Sequence, residues 1–281
     1  MTRPVRIAVV QMASGIDPAA NADAVRAALL QAADEGAAIA FTPEMSGLLD
    51  RDRGRLLAHV GGEADDPTLA AAREVAARTG LWVQLGSLAV RTTPDSDLLV
   101  NRAFLIDGTG TIVARYDKIH LFDVDLGAGQ RYRESATFAP GAQAVVAPTP
   151  WGPIALSICY DMRFPELYRA LAEGAPAMIA IPAAFTKPTG EAHWHTLIRA
   201  RAIEAGAFVI AAAQSGEHED GRTTYGHSLV VGPWGEVLLE VEGGAAVRTL
   251  DLDPTSVAEA RARLPTLAHR RAFAGPAIHP V

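Results

Sequence analysis

The chain has 281 residues, a formal net charge of −7, 49% hydrophobic residues and 20% charged ones. That length and apolar content suffice for one large core or two ordinary domains, and they exclude a disordered chain. The acidic balance disfavours nucleic acids and anionic membranes as partners, since both select clustered Lys and Arg.

The predicted elements alternate. Residues 5–12 read as an apolar strand, and 21–35 as an Ala- and Leu-rich helix stopped by Gly36. A second strand, 37–42, runs into Pro43 and Glu44. A helix over 67–79 has Pro67 at its start and Gly80 after its end. Strand 81–90 follows, then strands 101–106 and 111–116 around Asp107-Gly108-Thr109-Gly110, a hairpin signal. The stretch from His120 to Gly141 has little periodicity and reads as a long ordered loop, a type that is often functional. Strand 153–158 leads to Cys159, and helix 165–173 is stopped by Gly174. Then come strand 177–181, helix 191–205, strand 208–213, a hairpin of 229–231 with 237–241, strand 247–252 and helix 255–263. No low-complexity linker interrupts the pattern. A single α/β domain over 1–281 is expected, with a mixed sheet or two sheets.

The longest apolar run, 176–185, falls short of the ~20 residues a membrane span needs. The opening Met-Thr-Arg-Pro enters a strand directly, which leaves no room for a signal peptide, and the single cysteine fits a reducing compartment. A soluble, cytoplasmic protein is expected.

Three residues stand out. Cys159 ends an apolar strand just before a turn and helix, where a nucleophile is exposed against helix N-terminal amides that favour a thiolate. A buried thiol of no function is the alternative. Glu44 also lies past a strand end, beside a rigid proline, where a carboxylate is placed for proton transfer or simply for solvent. Lys118 follows a third strand. Only two lysines, Lys118 and Lys187, stand among 25 basic residues. A lysine retained in such a chain suggests a place where a bulky guanidinium will not serve.

Histidine is the usual base for a thiol, and His193 and His195 could approach through the fold. As a metal pair they are poorly spaced, because positions i and i+2 do not share a helix face. No GxGxxG or Walker loop is present. Neither a metal nor an organic cofactor is expected.

Together these residues resemble the nitrilase superfamily of carbon–nitrogen hydrolases, nearly end to end. The core motifs are Phe-Thr-Pro-Glu at 41–44, Tyr-Asp-Lys-Ile-His-Leu-Phe-Asp-Val-Asp at 116–125 and Ile-Cys-Tyr-Asp-Met-Arg-Phe-Pro-Glu-Leu at 158–167. The resemblance implies a four-layer αββα sandwich, paired into homodimers or larger homo-oligomers. It implies catalysis by Glu44, Lys118 and Cys159, with Glu134 orienting Lys118 and substrate. Glu44 would take the thiol proton, Cys159 would form an acyl-thioester, and Lys118 with the Tyr160 N–H would hold the oxyanion.

Tyr160-Asp161 after the cysteine resembles the amidase side of the superfamily rather than the nitrile-hydrolysing side. The segments 183–186, 189–195 and 199–204 are similar to both deaminated-glutathione amidases and ω-amidases. Those at 212–218 and 225–228 look more like the deaminated-glutathione branch. Gly232 departs from a position where relatives usually carry Asp or Asn, which implies a changed turn. The substrate expected is a small carboxylate-bearing amide, contacted by Tyr160, Phe185, Arg163 and Arg133. An ω-amidase on α-ketoglutaramate, an N-carbamoyl amino acid hydrolase and a non-enzymatic scaffold are the alternatives.

Overall fold

The computed structural model describes residues 4–93, 96, 98–127 and 131–277. The first half contains β1 (Val5–Gln11), α1 (Pro18–Asp34), β2 (Ile39–Phe41), α2 (Arg53–His59), α3 (Pro67–Thr79), β3 (Trp82–Arg91), β4 (Leu99–Ile106), β5 (Ile112–Asp117), β6 (Asp123–Asp125) and β7 (Arg131–Arg133). The second half contains β8 (Val145–Ala147), β9 (Ile154–Leu156), α4 (Pro165–Glu173), β10 (Met178–Ala180), α5 (Lys187–Ala205) and β11 (Phe208–Ala211). It closes with β12 (Ser215–Glu217), β13 (Thr223–Tyr225), β14 (Ser228–Val231), β15 (Val237–Val241), β16 (Ala246–Leu252) and α6 (Thr255–Arg263).

Alternation within single strands sets the architecture. In β1, Val5, Ile7 and Val9 join one apolar cluster, and Ala8 and Val10 another. In β4, Ala103 and Leu105 join the first, Phe104 and Ile106 the second. Successive strand side chains point to opposite faces, so these strands are buried on both. One face meets α1 and α3 through Val25, Leu29, Leu69 and Val75. The other meets a second sheet, whose far side is covered by α4 and α5 through Leu167, Tyr168, Trp194 and Ile198. The result is the expected αββα stack.

Both sheets have six strands. One runs β16-β1-β2-β3-β4-β5 and the other β15-β14-β11-β10-β9-β8. The pairs β1–β2, β2–β3, β9–β10 and β10–β11 are parallel, so these strands end on one rim. No helix among the described residues is long and apolar enough to cross a membrane.

The helices α3, α4 and α6 have the bounds their punctuation predicts, and Gly80 caps α3 at φ +79°. Helix α1 starts earlier than 21, because the Asp17 carboxylate caps the Ala19 and Ala20 amides and Pro18 opens the helix. That leaves Asn21 inside the helix, where its buried amide donates to the Gly15 and Gly47 carbonyls. The long loop contains the two-stranded β6–β7 pair, and a second small pair, β12–β13, follows Gln214. At Gly232 the hairpin closes through Gly232 N–H to the Glu236 carbonyl, and the Glu236 carboxylate occupies the space a side chain would need.

Candidate active site

Glu44 and Lys118 come from the ends of β2 and β5 in one sheet, and Cys159 from the end of β9 in the other. They meet across the sandwich. Lys118 Nζ donates to Glu44 Oε1 at 2.8 Å and to the two oxygens of Glu134 at 3.0 and 2.9 Å. The second Glu44 oxygen accepts the Ala184 N–H at 2.8 Å. Cys159 is buried beside this pair, within electrostatic reach of both Glu44 and Lys118.

Two tight turns aim these groups. Glu44 precedes Met45 at φ +55°, and Cys159 itself sits at φ +47°. Such left-handed conformations are costly for non-glycine residues and concentrate at functional sites. The Glu44 turn is cradled by a bulge in β3. There Gly86 N–H donates to the Thr42 hydroxyl, and the Met45 N–H donates to the Ser87 hydroxyl. A Cβ at Gly86 would lie 2.1 Å from the Thr42 carbonyl oxygen and 2.3 Å from that of Pro43. Only glycine admits this approach.

The Cys159 turn is pinned from below by Asp161, fully buried beneath it. One Asp161 oxygen accepts from Ile158 N–H at 2.9 Å and from the Tyr116 hydroxyl at 2.7 Å. The other accepts His120 N–H at 3.0 Å and lies 2.7 Å from His120 Nδ1.

The electrostatics correct one expectation. Cys159 opens a 3-10 turn, Cys159–Arg163, and the α-helix begins only at Pro165. Burial pushes the thiol pKa well above its ordinary value, and the neighbouring Glu44 anion pushes it further than Lys118 pulls it back. Both effects favour the thiol over the thiolate. Burial also pushes the Glu44 carboxyl up, but the Lys118 ammonium and the hydrogen bonds from Lys118 and Ala184 outweigh it, holding the group below the usual range. Lys118 is desolvated, which favours its neutral form, yet Glu134 and Glu44 hold it charged with a raised pKa.

These residues lie in a cleft of about 850 Å³. Tyr160, Phe185, Arg133, Glu134, Phe122 and Tyr132 are among its lining. Arg163 is not. Its guanidinium lies over the rings of Phe185 and Tyr160 at 5.1 and 5.8 Å and reaches His193 at 3.3 Å, so it backs the cleft wall instead of facing the cavity.

A carbon–nitrogen hydrolase family model matches residues 6–262. The chain belongs to the carbon–nitrogen hydrolase family. It is 38% identical over 266 residues to the deaminated glutathione amidase of Yersinia enterocolitica, covering 94% of this chain and 92% of that protein. The crystal structure of the Caenorhabditis elegans NitFhit protein superposes with a TM-score of 0.88 at 34% identity, over 96% of this chain and 66% of that one. A mutant of the amidase from Nesterenkonia sp. AN1, with acrylamide added at its active-site cysteine, superposes with a TM-score of 0.76 at 29% identity, over 93% of this chain and 98% of that one. The chain is therefore an amidase of the nitrilase superfamily, with the sandwich fold its motifs implied.

Some residues of this carbon–nitrogen hydrolase site are not among the sequence candidates. Asn101, on β4, donates its amide to Glu44 Oε1 at 2.9 Å and to Glu134 Oε1 at 3.2 Å. Among the described residues its own buried Oδ1 has no partner. Gln214 donates to the Glu44 carbonyl at 3.0 Å. A buried asparagine inside an apolar strand, as in Leu99-Val100-Asn101, is the one trace of this in the sequence, since a buried amide demands partners.

Proposed function

We propose that this amidase cleaves the C–N bond of a small carboxylate-bearing amide, deaminated glutathione foremost, through a thioester on Cys159. Glu44 accepts the thiol proton as sulfur attacks the carbonyl carbon. The oxyanion is held by the Lys118 ammonium and by Tyr160 N–H, which lies in the first turn of a 3-10 helix where amides lack internal partners. Glu44 passes the proton to the leaving nitrogen, the C–N bond breaks, and the thioester remains. Glu44 then takes a proton from water, the hydroxide attacks the thioester, and the proton returns to sulfur as the acid leaves. Glu134 and Asn101 keep Lys118 and Glu44 in register throughout.

The support for this chemistry is a buried thiol set beside a carboxylate that Lys118 also holds. The support for the substrate class is twofold. Relatives named deaminated glutathione amidase match over most of the chain. The cleft also carries cations placed to meet substrate carboxylates: Arg51 and Lys187 make no side-chain hydrogen bond or ion pair among the described residues, and Arg133 has only the electrostatic attraction of Asp123. A paired assembly and a reducing, cytoplasmic setting belong to the same proposal. They rest on the resemblance and on the lone cysteine.

The deciding experiment compares initial rates on deaminated glutathione, α-ketoglutaramate and an N-carbamoyl amino acid, with Cys159→Ala as the blank. Fastest turnover of deaminated glutathione is expected. Turnover of the carbamoyl compound alone would overturn the substrate assignment, and equal rates in Cys159→Ala would overturn the mechanism.

A further inference from the structure

His195 on α5, His227 between β13 and β14, and Glu240 on β15 converge outside the cleft. Among the described residues they form the one group of three ligating side chains whose donor atoms all lie within 4.8 Å of one another. His195 Nε2 lies 2.9 Å from Glu240 Oε1, and His227 Nδ1 lies 2.7 Å from the same oxygen.

The two rings are held in place. His227 stacks on Tyr225 with centroids 4.3 Å apart and planes 22° apart, while His195 meets the same Tyr225 ring edge-on at 6.4 Å. The His227 backbone has φ +52°, and its carbonyl accepts the Trp194 indole N–H at 2.8 Å. That backbone conformation is retained because surrounding contacts over-determine it. All three side chains keep some solvent access, so an ion has a path to them.

We propose that His195, His227 and Glu240 form a site for a divalent transition-metal ion of borderline softness, with Zn²⁺ as the preferred occupant. Two imidazole nitrogens and one carboxylate oxygen are a donor set such ions accept, with water completing the shell. Binding needs a lone pair on His195 Nε2 and on His227 Nδ1, the two nitrogens that now face Glu240. The adjacent His193, whose spacing argues against a metal pair, takes no part: its Nδ1 faces Arg163. The partners of His195 come from later in the chain, a loop and a strand, which sequence spacing could not reveal.

The test uses tag-free, EDTA-stripped chain carrying Cys159→Ala, so that the thiol cannot take zinc. Isothermal titration with ZnCl₂ is expected to give one ion per chain. Glu240→Gln and His195→Gln should each weaken binding by more than about 10- to 100-fold, the loss that follows removal of even an outer-sphere partner. Circular dichroism checks the fold of both variants. In the parent chain, the imidazole NMR signals of His195 and His227 should shift on zinc addition, which keeps the test decisive if a variant misfolds. Absence of zinc binding, undiminished binding in both folded variants, or unshifted imidazole signals would overturn the site.

Discussion

Replacing Lys118 with arginine retains the positive charge and changes its shape. Lys118 Nζ lies 2.8 to 3.0 Å from three carboxylate oxygens, and its side chain is only 3% exposed. A planar guanidinium is wider than an ammonium and demands a different donor geometry. It fits only if Glu44 or Glu134 is pushed aside, an overpacking cost of about 1–3 kcal/mol. Losing one oxyanion donor costs about 10²–10³ in rate. Displacing the general base costs ~10²-fold or more besides. A fall in kcat/KM of at least about 10³ is therefore expected for Lys118→Arg, in a chain that still folds. Lys118→Met is the contrast. It leaves Glu44 and Glu134 buried without their cation, and breaking a buried pair costs ~3–5 kcal/mol. The methionine variant should lose stability in urea as well as activity. The assay is product formation from the preferred amide, alongside urea unfolding followed by circular dichroism. An arginine variant within tenfold of the native rate would refute the role given to Lys118.

The active protonation state pairs a Glu44 anion with a Cys159 thiol. Glu44 lies below its ordinary 4.5 and the thiol above its ordinary 9.0, so kcat/KM should be flat between those values, with its acid limb below 4.5; a limb near neutrality would contradict this pairing. The same depressed carboxyl contributes stability above its unfolded pKa and loses it as pH falls through the folded one, which acid unfolding of Glu44→Gln against the parent can measure. Asn101→Leu removes two donors from Glu44 and Glu134, so the Glu44 pKa should rise and the acid limb move to higher pH with lowered kcat; an unmoved limb would leave Asn101 without a role in charge control. Gly86→Ala forces a methyl against two backbone carbonyls and should cost roughly 3 kcal/mol or more in urea, with lost activity from the displaced Glu44 turn; a neutral result would mean the bulge relaxes freely.

Much of the fold was legible because turns and breakers are local. Pro67 and Gly80 bound α3, and Asp107-Gly108-Thr109-Gly110 closes β4 onto β5. The paired strands β6–β7 were not legible, since Asp123-Val124-Asp125 and Arg131-Tyr132-Arg133 each place a single half-buried residue, Val124 or Tyr132, between charged ones, too short a run to show alternation. Helix α2 buries only Leu56 and has Gly54 inside it, so neither periodicity nor propensity marks it. The triad residues could each be singled out at a strand end. That they meet depends on two sheets packing face to face, which no spacing along one strand encodes. The charge balance at the thiol was not legible for the same reason. A dipole argument uses only the segment around Cys159, whereas its pKa is set by burial and by Glu44 from the other sheet.

That resting thiol also explains why two glutamates surround one lysine. With sulfur protonated, the cluster holds one cation and the two anions Glu44 and Glu134, all buried or nearly so. On the proposed route, attack moves a proton from sulfur to Glu44 and a negative charge from Glu44 to the substrate oxygen. The charge of the cluster is the same before and after. Both the old and the new anion lie beside Lys118, so the ammonium exchanges one partner for another without being desolvated further. Glu134 stays on Lys118 through this exchange, which keeps the ammonium aimed as Glu44 releases it. A thiolate formed in advance would add an anion to the same pocket, and burial would penalise it at rest instead of in the step where it is used. Asn101 completes the arrangement: an uncharged donor, it can stay hydrogen-bonded to Glu44 whether the carboxyl is ionised or has accepted the proton through its other oxygen.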